Sequence, residues 1–336
     1  MAHRYTLEKY KGPASRYTCP SCGYKRQFTR YIDTVTNEHL SPLAGMCNRA
    51  NSCGYHYTPK QFFAENPVYR SQNQKPIHRN PNSRSPIPNP MKTNIPADIH
   101  EVTLGNYHVN SFVQFLCKQF KTETVNRLIA TYKLGTCKSP VYWNTNIGHC
   151  VVFWFTNKAQ EVRYGQVKLF YDNGHTAKYV AAHDDDALRS CTTGIHYVLK
   201  TVYKKLQREM PRWLTNYEQQ DKYMDCFFGE HLLATENKPV AIVEAPKTAI
   251  IASVYLPHLT WLAVGSLSYL TAERCEVLKG REVRLYPDLG AFDKWMAKAN
   301  TIPGIEFKVS YFLEKRLPVM ERIQGMDIAD YLLGQK

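Results

Sequence analysis

The sequence predicts an α/β chain of more than one domain: a small cysteine-stapled β unit, then a mixed α+β segment, then a mostly parallel sheet. Three observations lead there. Close cysteine pairs occur near the start, a Pro-, Asn-, Ser- and Arg-rich stretch follows, and from Lys238 onward apolar strands alternate with helices. At 336 residues the chain is long enough for two or three domains, each burying a core of its own. The expected boundaries are 1–65, 66–99, 100–235 and 236–336.

The first unit is read from Cys19-Pro-Ser-Cys22-Gly, where two thiolates separated by two residues reach one ion and the glycine permits the tight turn around it. A looser half-site, Cys47-Asn-Arg-Ala-Asn-Ser-Cys53-Gly, closes the same way about 25 residues later. Four soft ligands with no open position suit a structural zinc, which makes this unit a zinc ribbon; His56, three residues after Cys53, is the alternative fourth ligand. Basic and aromatic residues interleave around the knuckles. Arg26, Arg30, Tyr31 and Arg49 are therefore candidate contacts to a nucleic-acid strand, supplying phosphate charge and base stacking, against the alternative that the tyrosines form the ribbon's own core. The other six cysteines, Cys117, Cys137, Cys150, Cys191, Cys226 and Cys275, lie among apolar segments and are expected to be buried thiols.

Residues 66–99, with PIHRNPNSRSPIPNP at their centre, show almost no apolar periodicity and predict a flexible, partly polyproline linker. Beyond it, SFVQFLCKQF and TVNRLIATYKL carry apolar residues at helical spacing. The stretch from His149 to Val180 then alternates apolar and polar residues, broken by Asn-Lys and Asn-Gly turns, and predicts about three antiparallel strands. Arg163, Lys168 and Lys178 on those strands are isolated cations that serve equally well as surface charges. The polar stretch Tyr203 to Glu218 has no pattern that places it, and His183-Asp-Asp-Asp186 reads as an acidic turn or a weak metal site.

In the last segment PVAIVE and WLAVGS read as buried strands separated by a helix that opens at Pro246. A helix from about Thr271, the strand REVRLY, the turn PDLG, the helix AFDKWMAKAN and the strand IEFKVSYF complete it. Glu244 and Asp288 close two of the strands, and in a parallel sheet carboxyl ends are where ligands bind. A carboxylate in that position serves equally well as a helix cap.

Lys+Arg number 43 against 29 Asp+Glu, a net charge of +14 that favours a polyanionic partner, nucleic acid first. No apolar run approaches the roughly 20 residues of a membrane span, and the polar N-terminus lacks the apolar core of a secretory signal. A cytoplasmic protein without a membrane partner is expected. There is no Gly-x4-Gly-Lys-Ser/Thr run, so no P-loop motor lies within it.

Ala241-Ile-Val-Glu244-Ala-Pro-Lys247-Thr-Ala249 resembles the first signature of Toprim domains, in which a Glu ends strand one and Lys-x-Ala opens the helix. Tyr286-Pro-Asp288-Leu-Gly290 resembles the second, normally Asp-x-Asp, and Gly325-Met-Asp327-Ile-Ala-Asp330 the acidic element near the domain's end. With the zinc ribbon ahead of them, these motifs are similar to DnaG-type primases and to Toprim-like proteins on mobile elements of Bacteroides-type bacteria. The resemblance implies a Toprim-like (Rossmann-like) parallel sheet with Glu244 and Asp288 as catalytic groups holding Mg2+ or Mn2+. Asp327 is a further ligand, and Lys168 and Lys247 are DNA contacts. It implies DNA, single-stranded in the first instance, as partner, with a separate replicative helicase. Tyr286 stands where the first Asp belongs, so a non-catalytic DNA-binding factor is the alternative and a Toprim nuclease a third reading.

Overall fold

The computed structural model describes residues 4–49, 53–66, 92–180, 188–219, 224–317 and 325–334. Most of the expected linker (67–91) and the run His183–Asp186 lie outside the described residues. The chain divides into two compact units, Met1–Pro86 and Ile87–Lys336.

In the first unit β1 (Tyr5–Leu7), β2 (Phe28–Asp33), β3 (Gly45–Cys47) and β4 (His56–Tyr57) form one antiparallel sheet in chain order. Its core is small: Phe28 packs between the buried Cys19 and Cys47. Gly45 is required there, because a Cβ would meet the Thr29 carbonyl at 2.3 Å and the Phe28 ring at 2.5 Å. Helix α1 (Pro59–Glu65) follows, held by a capping box in which Thr58 and Gln61 satisfy each other's backbone amides.

The second unit begins before residue 100. Ile95 is buried and the short helix α2 (Ala97–Glu101) follows it, so the expected linker ends in packed chain. Helices α3 (Ser111–Gln119) and α4 (Thr122–Tyr132) form where the apolar spacing places them, α3 capped by the Asn110 side chain. A four-stranded antiparallel sheet then forms in the order β10-β7-β6-β5, from β5 (Gly135–Cys137), β6 (Cys150–Thr156), β7 (Val162–Lys168) and β10 (Thr192–Gly194). Every residue of β6 is buried. Val151, Phe153 and Phe155 face one core while Cys150, Val152 and Trp154 face another, which is the two-residue period of a strand covered on both sides.

The third strand expected after β7 does not join this sheet. The ladder is handed on at Ala177, whose amide donates to the Leu169 carbonyl and whose carbonyl accepts from Cys191. Strand β10 thereby takes the place beside β7, and β8 (Lys178–Val180) pairs with β9 (Leu188–Ser190) as a separate ribbon. The stretch without a readable pattern is helical, α5 (Ile195–Lys205) and α6 (Arg212–Glu218). Four of the six lone cysteines are buried, but Cys137 is only partly so and Cys117 is exposed, on the outer face of α3.

The last segment is a four-stranded parallel sheet in the order β12-β11-β13-β14, from β11 (Val240–Val243), β12 (Thr260–Ala263), β13 (Val283–Leu285) and β14 (Phe307–Val309). Helix α7 (Pro246–Tyr255) links β11 to β12, with Pro246 in its first turn and Thr248 to Ala252 all buried. The short α8 (Ala272–Cys275), then α9 (Phe292–Ala299), α10 (Phe312–Arg316) and α11 (Ile328–Gly334) complete the unit. One core cluster runs through both segments: Phe112 and Phe153 share it with Ala241, Val243 and Trp261, and Tyr132 stacks on Phe228 at 5.3 Å. Residues 100–235 and 236–336 therefore pack as one unit. No helix among the described residues is long and apolar enough to cross a membrane.

Candidate functional site

Cys19, Cys22, Cys47 and Cys53 bring their sulfurs together from two turns, the four all within 4.8 Å of one another. The Cys19–Cys53 and Cys22–Cys47 Sγ distances are 3.8 and 4.0 Å. A tetrahedron of Zn–S bonds has S–S edges of about 3.8 Å, so the donor set fits zinc in type, number and spacing. The Tyr24 backbone amide, together with neighbouring thiols, pulls Cys22 down to about 6, while burial pushes Cys47 up to about 12. The Arg49 guanidinium donates to Cys22 Sγ at 3.8 Å. His56 is directed elsewhere: its Nε2 pairs with the Tyr31 hydroxyl at 2.8 Å, and the four-thiol set is complete without it.

The basic residues of the ribbon are less open than their spacing suggests. Arg30 lies over the Tyr17 ring at 3.9 Å and Arg49 over the Tyr24 ring at 3.6 Å, so cation and aromatic face are already paired within the unit. Arg26 occupies a left-handed turn position, φ 56°, and is exposed.

In the second unit the strand order decides where the acidic residues meet. The chain leaves β11 towards β12 on one side and later returns to β13 on the other, so the carboxyl ends of β11 and β13 flank a topological switch point. Glu244 follows β11 and Asp288 follows β13. A third element closes the crevice: the Leu289 amide donates to the Met326 carbonyl at 2.9 Å, which sets Asp327 against the Pro287–Gly290 turn. Asp327 and Asp330 cap each other's backbone, with Asp330 N to Asp327 Oδ1 at 2.9 Å. Thr248 donates to Asp327 at 2.6 Å, and the Lys247 ammonium bridges Asp330 at 3.0 Å and Asp327 at 3.9 Å.

Burial, then Asp327, Glu244 and Asp330, push Asp288 up to about 8 against the pull of Lys247. Burial alone raises Glu244. From β7, Lys168 reaches the same cluster: burial first, then the Lys247 charge, pull it down to about 8, with Asp327 opposing. Oxygen donors of this kind suit a hard divalent cation. Among the described residues, however, only the four cysteines place three or more ligand atoms within 4.8 Å, so the carboxylates stand wider apart, with lysine ammoniums among them.

These two shifts make contributions of opposite sign to stability on either side of about pH 8 in protein free of divalent cations. Between about 4 and 8 the folded chain holds a proton on Asp288 that the unfolded chain has lost, so stability falls as pH rises. Between about 8 and 10.5 the unfolded chain holds a proton that folded Lys168 has lost, so stability climbs again. All five tryptophans lie in the second unit, and urea unfolding followed by their fluorescence reads it alone. Asp288→Asn should flatten the falling limb; an unchanged slope rules the assignment out.

Several residues take other roles than their sequence positions suggest. Tyr286 packs on Trp261 at 5.0 Å and touches Arg284, on the sheet face and not within the acidic cluster. Arg163 is no surface charge: it is buried, bonded through two nitrogens to Asp225 at 3.0 and 3.1 Å and to Asn94. Thr248 and Asp225 carry no motif that marks them in advance.

A family model described as a domain of unknown function (DUF6371) matches residues 110–289, more than half of the chain, and a zinc beta-ribbon finger model matches residues 3–68. No curated protein matches the sequence. Among solved structures the chain is similar to the primase fragment of the bacteriophage T7 primase-helicase protein, at 12% identity and TM-score 0.40, covering 95% of this chain and 94% of that one. It is also similar to the E. coli primase catalytic core, at 12% identity and TM-score 0.38, covering 71% and 81%.

Proposed function

The chain belongs to the DUF6371 domain family, and we propose that it is a zinc-containing, DNA-binding, primase-like protein that builds primers on single strands in the replication or transfer of a mobile element. One observation carries the reading: Glu244 and Asp288 end adjacent parallel strands at a topological switch point, facing Asp327, Asp330, Lys247 and Lys168. Extending a primer joins a 3′-hydroxyl to the α-phosphorus of a nucleoside triphosphate and expels pyrophosphate. Mg2+ or Mn2+, when bound by Glu244 and Asp288, would offset charge on the phosphate oxygens. In place of holding the ion, Glu244, raised by burial, would accept the hydroxyl proton. Lys247 and Lys168 supply fixed positive charge beside the reacting phosphates. A separate helicase would deliver the unwound strand, and the net charge of +14 supports binding of a polyanion.

A second reading has its own observation. Lys247 already neutralises Asp327 and Asp330, as it would in a DNA-binding factor that has exchanged its metal for an internal cation. One experiment separates the two: the purified protein is given single-stranded DNA, labelled nucleotides and Mg2+. Wild type should make short primers and Glu244→Gln should make at least about a hundredfold fewer, the lower range for loss of a general base. DNA binding and zinc content should be unchanged. Wild type that makes none, and binds DNA as Glu244→Gln does, establishes the non-catalytic factor instead.

A further inference from the structure

A cavity of about 500 Å³ opens beside the acidic crevice, lined by Tyr164, His196, Tyr197, Met224, Tyr269 and Arg274. Two contacts fix its place. On the β7/β10 ladder Gly194 of the cavity pairs with Gln166, and two positions on Thr192 pairs with Lys168, so that lysine lies about 7 Å along the strand. On the other side, Met224 covers Gly265, where a Cβ would meet its sulfur at 2.6 Å, and the Gly265 amide donates to the Glu244 carbonyl at 2.8 Å. The Glu244 backbone and the Lys168 position thus flank the cavity without lining it.

Its walls have a consistent chemistry. Tyr197 and Tyr269 are 53% and 45% exposed, with the Lys200 ammonium 5.9 Å from the first ring and the Arg274 guanidinium 6.0 Å from the second, while Tyr164 and the buried His196 lie 6.0 Å apart beneath. Gly194 keeps this floor clear, since a Cβ there would meet the His196 ring at 2.3 Å. Arg274 is buried and donates to the carbonyls of Val264, Tyr269 and Cys226, leaving Nε buried without a hydrogen-bond partner. Asp225 also lines the cavity, its carboxylate already bonded to Arg163 and Lys92. Half-exposed aromatic rings beside a buried guanidinium match a flat, electron-rich ring that stacks on them. The volume admits a two-ring base with its sugar, within the roughly 300–1,000 Å³ of small-molecule sites.

We infer that this cavity holds the purine base of a nucleotide whose phosphates extend toward Lys168 and Glu244. The phosphate direction rests on the primase-like reading of the acidic crevice; the base pocket stands on its own walls. The full-length protein is titrated with GMP and AMP without divalent cations, and separately with a twelve-residue oligothymidylate. Wild type should bind a purine monophosphate. Tyr269→Ala should weaken it about tenfold, the loss of one base–aromatic stack, and Tyr269→Phe should stay within about twofold because the ring remains. Glu244→Gln, which removes a negative charge beside the phosphate, should bind GMP at least as tightly as wild type even where primer synthesis is lost. If wild type and Glu244→Gln both make no primers but Tyr269→Ala still loses GMP, the primase reading fails and the pocket stands. If primers are made yet neither monophosphate binds, the pocket is overturned. Loss by Tyr269→Ala of oligothymidylate binding alone overturns the free nucleotide and gives the pocket to a base of the strand.

Discussion

Cys47→Ser protein should emerge from chelator-free purification without stoichiometric zinc and with residues 16–57 exchanging amide hydrogens near the unprotected rate. The ribbon's buried cluster consists of Cys19, Phe28 and Cys47, two of them metal ligands, so little apolar burial survives once the metal is gone. Structural zinc contributes an apparent ~10–16 kcal/mol in units of this kind, well beyond the few kcal/mol a small core supplies. Serine keeps the size of the side chain but not the soft thiolate. The remaining three thiols would no longer complete the four-sulfur set, whose Sγ–Sγ distances are 3.8 and 4.0 Å. The second unit forms its own cores, so its tryptophan-monitored unfolding should be unchanged. Metal analysis and hydrogen exchange check both halves, and full amide protection in a zinc-free ribbon would show that the metal is dispensable.

Arg163→Met should destabilise the second unit by about 3–5 kcal/mol, the usual consequence of breaking one side of a buried ion pair. Arg163 is 3% exposed, and its two bonds to Asp225 hold together strand β7 and the segment before Phe227. Burial alone would raise Asp225, but Arg163 and Lys92 hold its carboxyl below the ordinary value. That depressed value contributes stability above about pH 4 that is lost as pH falls through the folded pKa, and Arg163→Met removes it. With arginine gone, Asp225 keeps only the exposed Lys92 at 3.0 Å. The double variant Arg163→Met with Asp225→Asn should recover much of the loss, since no unpaired charge is then buried. Chemical denaturation of the four-member cycle measures this, and a single-variant loss below about 1 kcal/mol would remove Arg163 from its structural role.

The sequence by itself determined what local chemistry determines. Cys19-x-x-Cys22 and Cys47 to Cys53 announce a four-thiol site because the ligands lie a few residues apart, and α3, α4 and α7 follow from apolar spacing, with Pro246 at the start of α7. The alternating strands and helices after Lys238 likewise foretell a parallel sheet. Only the tertiary structure decided which strands became neighbours and which charges met. Strand β8 left the antiparallel sheet because Ala177 passes the ladder to Cys191 and β10, an exchange between residues 14 apart that no local pattern encodes. Arg163 looked like a surface cation until Asp225, 62 residues away, was packed against it. Asp327 and Asp330 joined Glu244 and Asp288 only because the strand order places β11 beside β13 and a backbone bond from Leu289 to Met326 folds the chain's end over them. The physical reason is common to all three. A residue's type and its near neighbours set what it can bind, but its burial and its charged partners come from chain segments far away in sequence, and those fix whether it is a ligand, an ion pair or a wall.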